Sequence, residues 1–169
     1  ESVDLTTFVA SRLTLQDSRA PTSEFTLTGG SSVAQQQNTV VVVTLSTADL
    51  NNLKKKAPGL AFSSATTWLR AESAVVQSFV PLNSLAILSA SALAVSSFTA
   101  DQTAPTLVSF NLNMDTLRLS LTFSETVSVS SFQISALAIQ STATSDANAF
   151  QFQAGSNSGL VAGSSDATV

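Results

Sequence analysis

The 169-residue chain has no cysteine, no histidine and no tyrosine. Without cysteine there is no disulfide framework; the compartment stays open, because large extracellular β repeats often do without one. Without histidine and cysteine, the usual general base, the nucleophile–base pairs and the common zinc sites are gone. Charge is scarce: charged residues make up 11% of the chain and the net charge is −4. Seven basic residues, three of them in Lys54-Lys55-Lys56, do not make a phosphate-tracking surface, which argues against nucleic acid. No apolar stretch approaches the ~20 residues that span a bilayer, so no membrane insertion is expected of this segment. The run Leu85 to Val95 is broken by Ser89 and Ser91 and reads as two strands and a turn. No Asn-x-Ser/Thr triplet occurs, which excludes N-glycosylation by that signal.

What the chain does have is hydroxyl groups and hydrophobic side chains. Ser and Thr together make up roughly 30% of it, well above ordinary usage. The hydrophobic share of 44% is enough for a core and argues against a disordered mucin-like stalk. Exposed Ser and Thr are candidates for O-linked sugar.

The two ends of the chain are copies of each other. Glu1 to Gln16 aligns with Glu125 to Gln140 at an offset of 124 residues. Glu, Val, Phe, Ser, Leu and Gln recur in step at 1/125, 3/127, 8/132, 11/135, 13/137 and 16/140, and Leu5/Val129 and Leu15/Ile139 are conservative. After one inserted residue, Phe25 matches Phe150, Leu27 matches Phe152 and Gly30 matches Gly155. An internal repeat of this kind signals an array, whose units usually build length, spacing or a surface. A period of 124 does not fit twice into 169 residues. The expectation is therefore a window on a longer polypeptide, with the first unit lacking its opening hairpin and the second its later part. Such a gap exposes an apolar face, which outside residues or a neighbouring chain would fill by strand complementation. The residues to watch are Val3, Leu13, Leu15, Val41 and Val43.

Strand signals run along the whole chain. Leu117-Arg-Leu-Ser-Leu-Thr-Phe123 alternates, with Leu117, Leu119, Leu121 and Phe123 on one side. Thr106 to Leu112 alternates too, placing Val108, Phe110 and Leu112 together, and Asn113 to Thr116 is the turn of an antiparallel hairpin. Phe8 to Leu15 and Phe132 to Ile139 read as short strands. Thr39 to Leu45 is a β-branched run and reads as a strand buried on both faces or at the centre of a sheet. Thr66 to Arg70, Ala74 to Phe79, Ser84 to Leu88 and Ala92 to Thr99 complete the strand candidates. Trp68 and the ten Phe are assigned to the core. One short helix is predicted from the capping-box spacing of Ser46-Thr-Ala-Asp49, with Leu50 and Leu53 on one face and Pro58-Gly59 ending it. Asp101 to Pro105 reads as a stiff linker, since Pro105 holds Ala104 extended and resists a central strand. Domains are thus expected at 1–100 and 101–169. Many short strands at this spacing predict an all-β protein of antiparallel sandwich type with one short helix.

The motifs Asp101-Gln-Thr-Ala-Pro-Thr-Leu-Val-Ser-Phe and Leu119-Ser-Leu-Thr-Phe-Ser-Glu-Thr-Val, followed by Ser130-Ser131, resemble the opening of a bacterial-type Ig-like repeat. They are also similar to long tandem repeats of algal and protist surface proteins, including flagellar-hair (mastigoneme) components and adhesins, as is the segment Ser46 to Lys54. The resemblance implies an Ig-like β-sandwich and an extracellular surface or filament role, with no catalytic residue. The chain departs from that pattern at Gln77 and Leu82, where such repeats often carry Asp and Gly, so an ion or turn role does not carry over there.

Three carboxylates are the candidates for chemistry. Asp101, Asp115 and Glu125 are candidates for a glycan-hydrolysing pair, but nothing in the sequence brings two of them together. The same three are the candidates for calcium, because Asp101 in a linker between sandwiches resembles cadherin-type sites. Calcium wants six to eight oxygens, and the alternative is Asp101 as a turn cap. Gly29-Gly30-Ser-Ser lacks the Lys and helix of a phosphate loop and reads as a β-turn. Lys54-Lys55-Lys56 reads as the solvated end of the helix, where cations suit the dipole. The expectation is therefore no enzyme and no cofactor, but a structural module. Its partners are other copies of itself or neighbouring repeats; the alternative is an adhesin repeat gripping glycan or another cell.

Overall fold

The computed structural model describes residues 2–35, 39–144 and 149–153. Two units make up the chain, Glu1–Thr103 and Ala104–Val169. Every strand pair in both is antiparallel, and the described residues contain one α-helix. The all-β class therefore holds. The sheets do not close into an Ig-like sandwich among the described residues, and most are two-stranded.

The first unit contains β1 (Val3–Asp4), β2 (Leu13–Gln16), β3 (Glu24–Thr26), β4 (Ser31–Gln35), β5 (Val40–Thr44), α1 (Thr47–Lys55), β6 (Trp68–Ala71), β7 (Gln77–Ser78) and β8 (Leu93–Ala94). Its main sheet has the order β3-β2-β6-β8. The helix starts where the capping signal places it: the Ser46 hydroxyl accepts from the Asp49 amide at 3.1 Å. Leu53 is buried on it, whereas Leu50 is exposed, so only half of the expected apolar face is used. Leu60, just beyond the helix, is fully buried and anchors the following turn.

The main sheet is covered on the side that carries its polar residues. Thr14 and Gln16 of β2 are buried. The Gln16 amide donates to the Ser18 and Ser89 carbonyls, and the Ser89 hydroxyl donates back to Gln16 Oε1 at 3.1 Å. Arg19 donates to the Ala92 carbonyl and lies over the Trp68 ring at 5.1 Å. Loops thus seal this side with satisfied hydrogen bonds, which is what makes buried polar groups tolerable. The core assignment of the aromatics is corrected accordingly. None of the ten Phe is buried, and Phe62, Phe79, Phe110 and Phe150 are exposed. Trp68 is half-buried against a cation.

Several strand expectations are corrected as well. The segment before β2 is two 3-10 turns, Leu5–Thr7 and Ala10–Arg12, not a strand from Phe8. Among the described residues the Val40–Thr44 strand pairs only with β4, and Val40 and Val42 are exposed, so it is neither buried on both faces nor central in a sheet. Ser84 to Leu88 forms no named strand; Ile87 makes an isolated bridge to Ala71. A β-branched run favours extended backbone, but its burial is set by what packs against it.

The second unit contains the hairpin β9 (Leu107–Asn113) and β10 (Arg118–Phe123), then β11 (Ala138–Ile139) and β12 (Phe150–Gln151). The hairpin is where the alternation puts it. Its turn is held by Asn113, whose side-chain oxygen accepts from the Asp115 and Thr116 amides at 3.0 and 2.9 Å. Leu117 sits in this turn at φ 55°, in the left-handed region, and is exposed rather than inward. A register shift between Thr122 and Phe123 pairs Phe123 with Leu107. Leu107 therefore joins Phe110 over the interior in place of Val108, because a bulge flips the side on which preceding residues point.

Candidate interaction surface

The repeat in the sequence is a repeat in the bonding. The Leu5–Thr7 and Ala10–Arg12 turns recur as Val129–Ser131 and Ile134–Ala136. The Thr7 hydroxyl donates to the Asp4 carbonyl at 2.6 Å, and the Ser131 hydroxyl donates to the Ser128 carbonyl at 2.8 Å. Leu27 N donates to Leu13 O at 3.0 Å, and Phe152 N donates to Leu137 O at 3.1 Å. The pairs Thr14–Thr26 and Leu15–Phe25 recur as Ala138–Gln151 and Ile139–Phe150. The match Gly30/Gly155 lies outside the described residues at Gly155.

The side of the main sheet opposite Gln16 is apolar. Residues directly opposed across strands share a face. Leu15 opposes Phe25 on β3 and Leu69 on β6, and Leu69 opposes Leu93 on β8. One row of four large apolar side chains therefore crosses all four strands. Phe25, Leu15 and Leu69 are half-buried, and Leu93 is 56% exposed. Val3, Leu13, Val41 and Val43 are likewise half-buried and none is buried. Large apolar patches of this kind mark contact surfaces more often than chemistry.

The second unit has a cover over the equivalent positions. Leu119 and Leu121 of the hairpin, with Leu107 and Phe110, face Leu137, Ile139 and Phe152 across a cleft of about 380 Å³. Leu121 is buried there. Leu137, Ile139 and Phe152 are the repeat partners of Leu13, Leu15 and Leu27.

The three candidate carboxylates are held apart. Asp101 accepts from Lys54 Nζ at 2.7 Å and from the Thr103 amide at 2.9 Å, and these two, Lys54 first, hold its carboxyl below the usual carboxylate range. Lys54 is therefore engaged rather than simply solvated. Asp115 lies in the hairpin turn before β10 and Glu125 follows its end. At about 3.3 Å per residue the six-residue strand holds them roughly 20 Å apart. Among the described residues no group of three or more acidic, His or Cys side chains is placed to hold a metal ion. At Gln77, one of the two positions that differ from the repeats the sequence resembles, Nε2 donates to Asn83 Oδ1 at 2.9 Å.

Two carboxylates that sequence reasoning missed, or placed differently, organise the loops. Asp49 is fully buried and accepts from the Thr28 hydroxyl at 2.6 Å, the Thr28 amide at 3.0 and 3.2 Å and the Gly29 amide at 3.2 Å. Burial works to raise its pKa, but these bonds and one from Ser46 more than offset it and hold the carboxyl below its ordinary value. The capping position flagged Asp49 as a helix residue, and only the fold shows it clamping the Thr28–Gly29 loop. Asp17 accepts from the Thr22 hydroxyl at 2.6 Å and from the Thr22 and Ser23 amides, which close the β2–β3 loop. The Thr22 hydroxyl, above all, lowers its pKa. An Asp followed by Thr and Ser in a short loop was the available signal.

Among the described residues no helix is long and apolar enough to cross a membrane. No protein-family model, no curated protein and no solved structure matches this chain.

Proposed function

We propose that the chain is a structural module of a long extracellular surface or filament protein, built from Ig-like repeats that give length, stiffness and lateral contacts. One observation carries the reading: the segment that repeats at an offset of 124 residues recurs in its backbone turns and strand bonds, from the turns at Asp4 and Ser128 to the Leu13–Leu27 and Leu137–Phe152 pairs. Arrays of equivalent units behave as one-dimensional objects, each unit touching only its neighbours. The hydroxyl-rich composition and the resemblance of Asp101–Phe110 and Leu119–Val127 to Ig-like repeat openings support an extracellular setting. Asp17 and Asp49 are spent on loops and Asp101 on Lys54 and Thr103, which favours assembly as the role.

The test is a series of concatemers of the 124-residue period viewed by electron microscopy after rotary shadowing. Contour length should grow by a constant step, roughly 35 Å if each period is an ordinary domain of that size. Particles that stay compact as periods are added sink the reading. Retention on a glycan array would favour the adhesin alternative.

A further inference from the structure

We infer that the apolar row Phe25–Leu15–Leu69–Leu93 of the first unit is an acceptor face for the β9–β10 hairpin of a second copy of this chain. The inference rests on the array reading and names the surface and the partner through which copies join.

The repeat identifies the occupant. In the second unit the side chains equivalent to Leu13, Leu15 and Leu27 are faced by Leu119 and Leu121 of this hairpin. The first unit offers two of these positions, Leu13 and Leu15, half-buried, and extends them with Leu69 and Leu93 from two further strands; Leu27 is already buried within the unit. No described segment of the first unit buries the row, since none of its four residues is buried.

The donor is also under-used where it sits. Leu107, Phe110 and Leu112 remain 47%, 55% and 48% exposed beside a two-stranded partner and an open cleft. A four-stranded apolar face offers the hairpin more to cover than β11–β12 does, and this burial sets against the exposure of Leu137, Ile139 and Phe152 that transfer leaves behind. The hairpin strands bring 13 residues, fewer than the roughly 20–30 a side of a standard interface, so the contact belongs to the small, modest-affinity class. Each copy carries one donor and one acceptor on different units. The contact is therefore heterologous, joining unlike surfaces of two copies.

The experiment is sedimentation velocity on the full chain and on two variants, Leu93→Asp in the acceptor and Phe110→Asp in the donor. Both side chains are more than half exposed, so both variants should fold; Trp68 fluorescence and far-UV circular dichroism check this. The native chain should rise at least about twofold in weight-average mass between roughly 1 and 100 µM, the micromolar range of a modest interface. Each variant alone should stay monomeric. An equal mixture should give only a 1:1 complex, because Leu93→Asp keeps a working hairpin and Phe110→Asp keeps a working face. As a second measurement, Leu93→Cys and Phe110→Cys chains, in a background with no other cysteine, should cross-link with a short bis-maleimide as the mixed pair far more than as either like pair. A native chain that stays monomeric throughout overturns the inference and assigns the face to a hairpin within the same polypeptide. Association that survives both Asp substitutions, or equal cross-linking of like and mixed pairs, overturns it too. These outcomes leave concatemer length untouched, so failure here and failure of the array reading are distinguishable.

Discussion

Replacing Asp49 by Asn tests whether a buried carboxylate organises the first unit. The side chain keeps its size and one accepting oxygen. Its second oxygen becomes an NH2 group that faces the Thr28 or Gly29 amide, donor against donor. A hydrogen bond to a charged acceptor contributes about 1.5–3 kcal/mol net, and a buried unpaired donor costs a further 1–3. The losses overlap because the loop can shift, so a destabilisation of about 2–4 kcal/mol is expected. Against a total of roughly 5–15 kcal/mol for a domain this is a large fraction. The assay is urea unfolding followed by Trp68 fluorescence; Trp68 is the only tryptophan and lies in the first unit, so it reports that unit alone. The midpoint should fall with little change in slope. A pH series adds an independent arm. The folded pKa of Asp49 lies below its unfolded value, so its contribution is fully present above the unfolded pKa. It is lost as the pH falls below about 4 through the depressed folded value. In Asp49→Asn that part of the acid transition should vanish, while Asp17 and Asp101, whose pKa values are also lowered, keep their shares. A variant within about 0.5 kcal/mol of the native chain, the range of ordinary surface changes, with an unchanged acid limb, would refute the clamp.

Leu117 holds φ 55° with an exposed side chain, so Leu117→Gly should stabilise the hairpin by about 0.5–1 kcal/mol, read as slower hydrogen exchange of the β9–β10 amides. Asp4 accepts from the Thr6 amide and hydroxyl. Asp4→Ala should cost the first unit about 1 kcal/mol, whereas Asp4→Ser, which keeps a good N-cap acceptor, should be nearly silent in the same urea assay. Because Lys54 and Thr103 already occupy Asp101, millimolar calcium should leave the thermal midpoint unchanged; a clear rise that Asp101→Asn abolishes would restore the ion site. Lys54→Met should have a small, salt-sensitive effect, as surface ion pairs do.

The elements legible in the sequence are those specified by neighbours along the chain. The alternation of Arg118 to Phe123 is a strand because a pleat separates successive side chains. Ser46 starts the helix because its hydroxyl meets an amide three residues on. The duplicated segments 1–16 and 125–140 form the same turns because those bonds span only three residues. The hairpin turn at Asn113 belongs to the same class.

Burial was not legible, because it depends on residues far away in the chain. Leu13 and Leu15 outrank Thr14 and Gln16 on any hydrophobic scale, yet the polar pair is the buried one. The loop around Ser89, 73 residues distant, meets the Gln16 amide and seals that side. Asp49 looked like a helix-capping residue until the Thr28–Gly29 loop, some 20 residues upstream, folded onto it. A single bulge after Thr122 exchanged Leu107 for Val108. By itself the sequence determined the local backbone, the repeat and the supply of apolar side chains. Only the tertiary structure decided which faces those side chains cover, since desolvation is a property of both surfaces that meet and a periodic pattern describes only one.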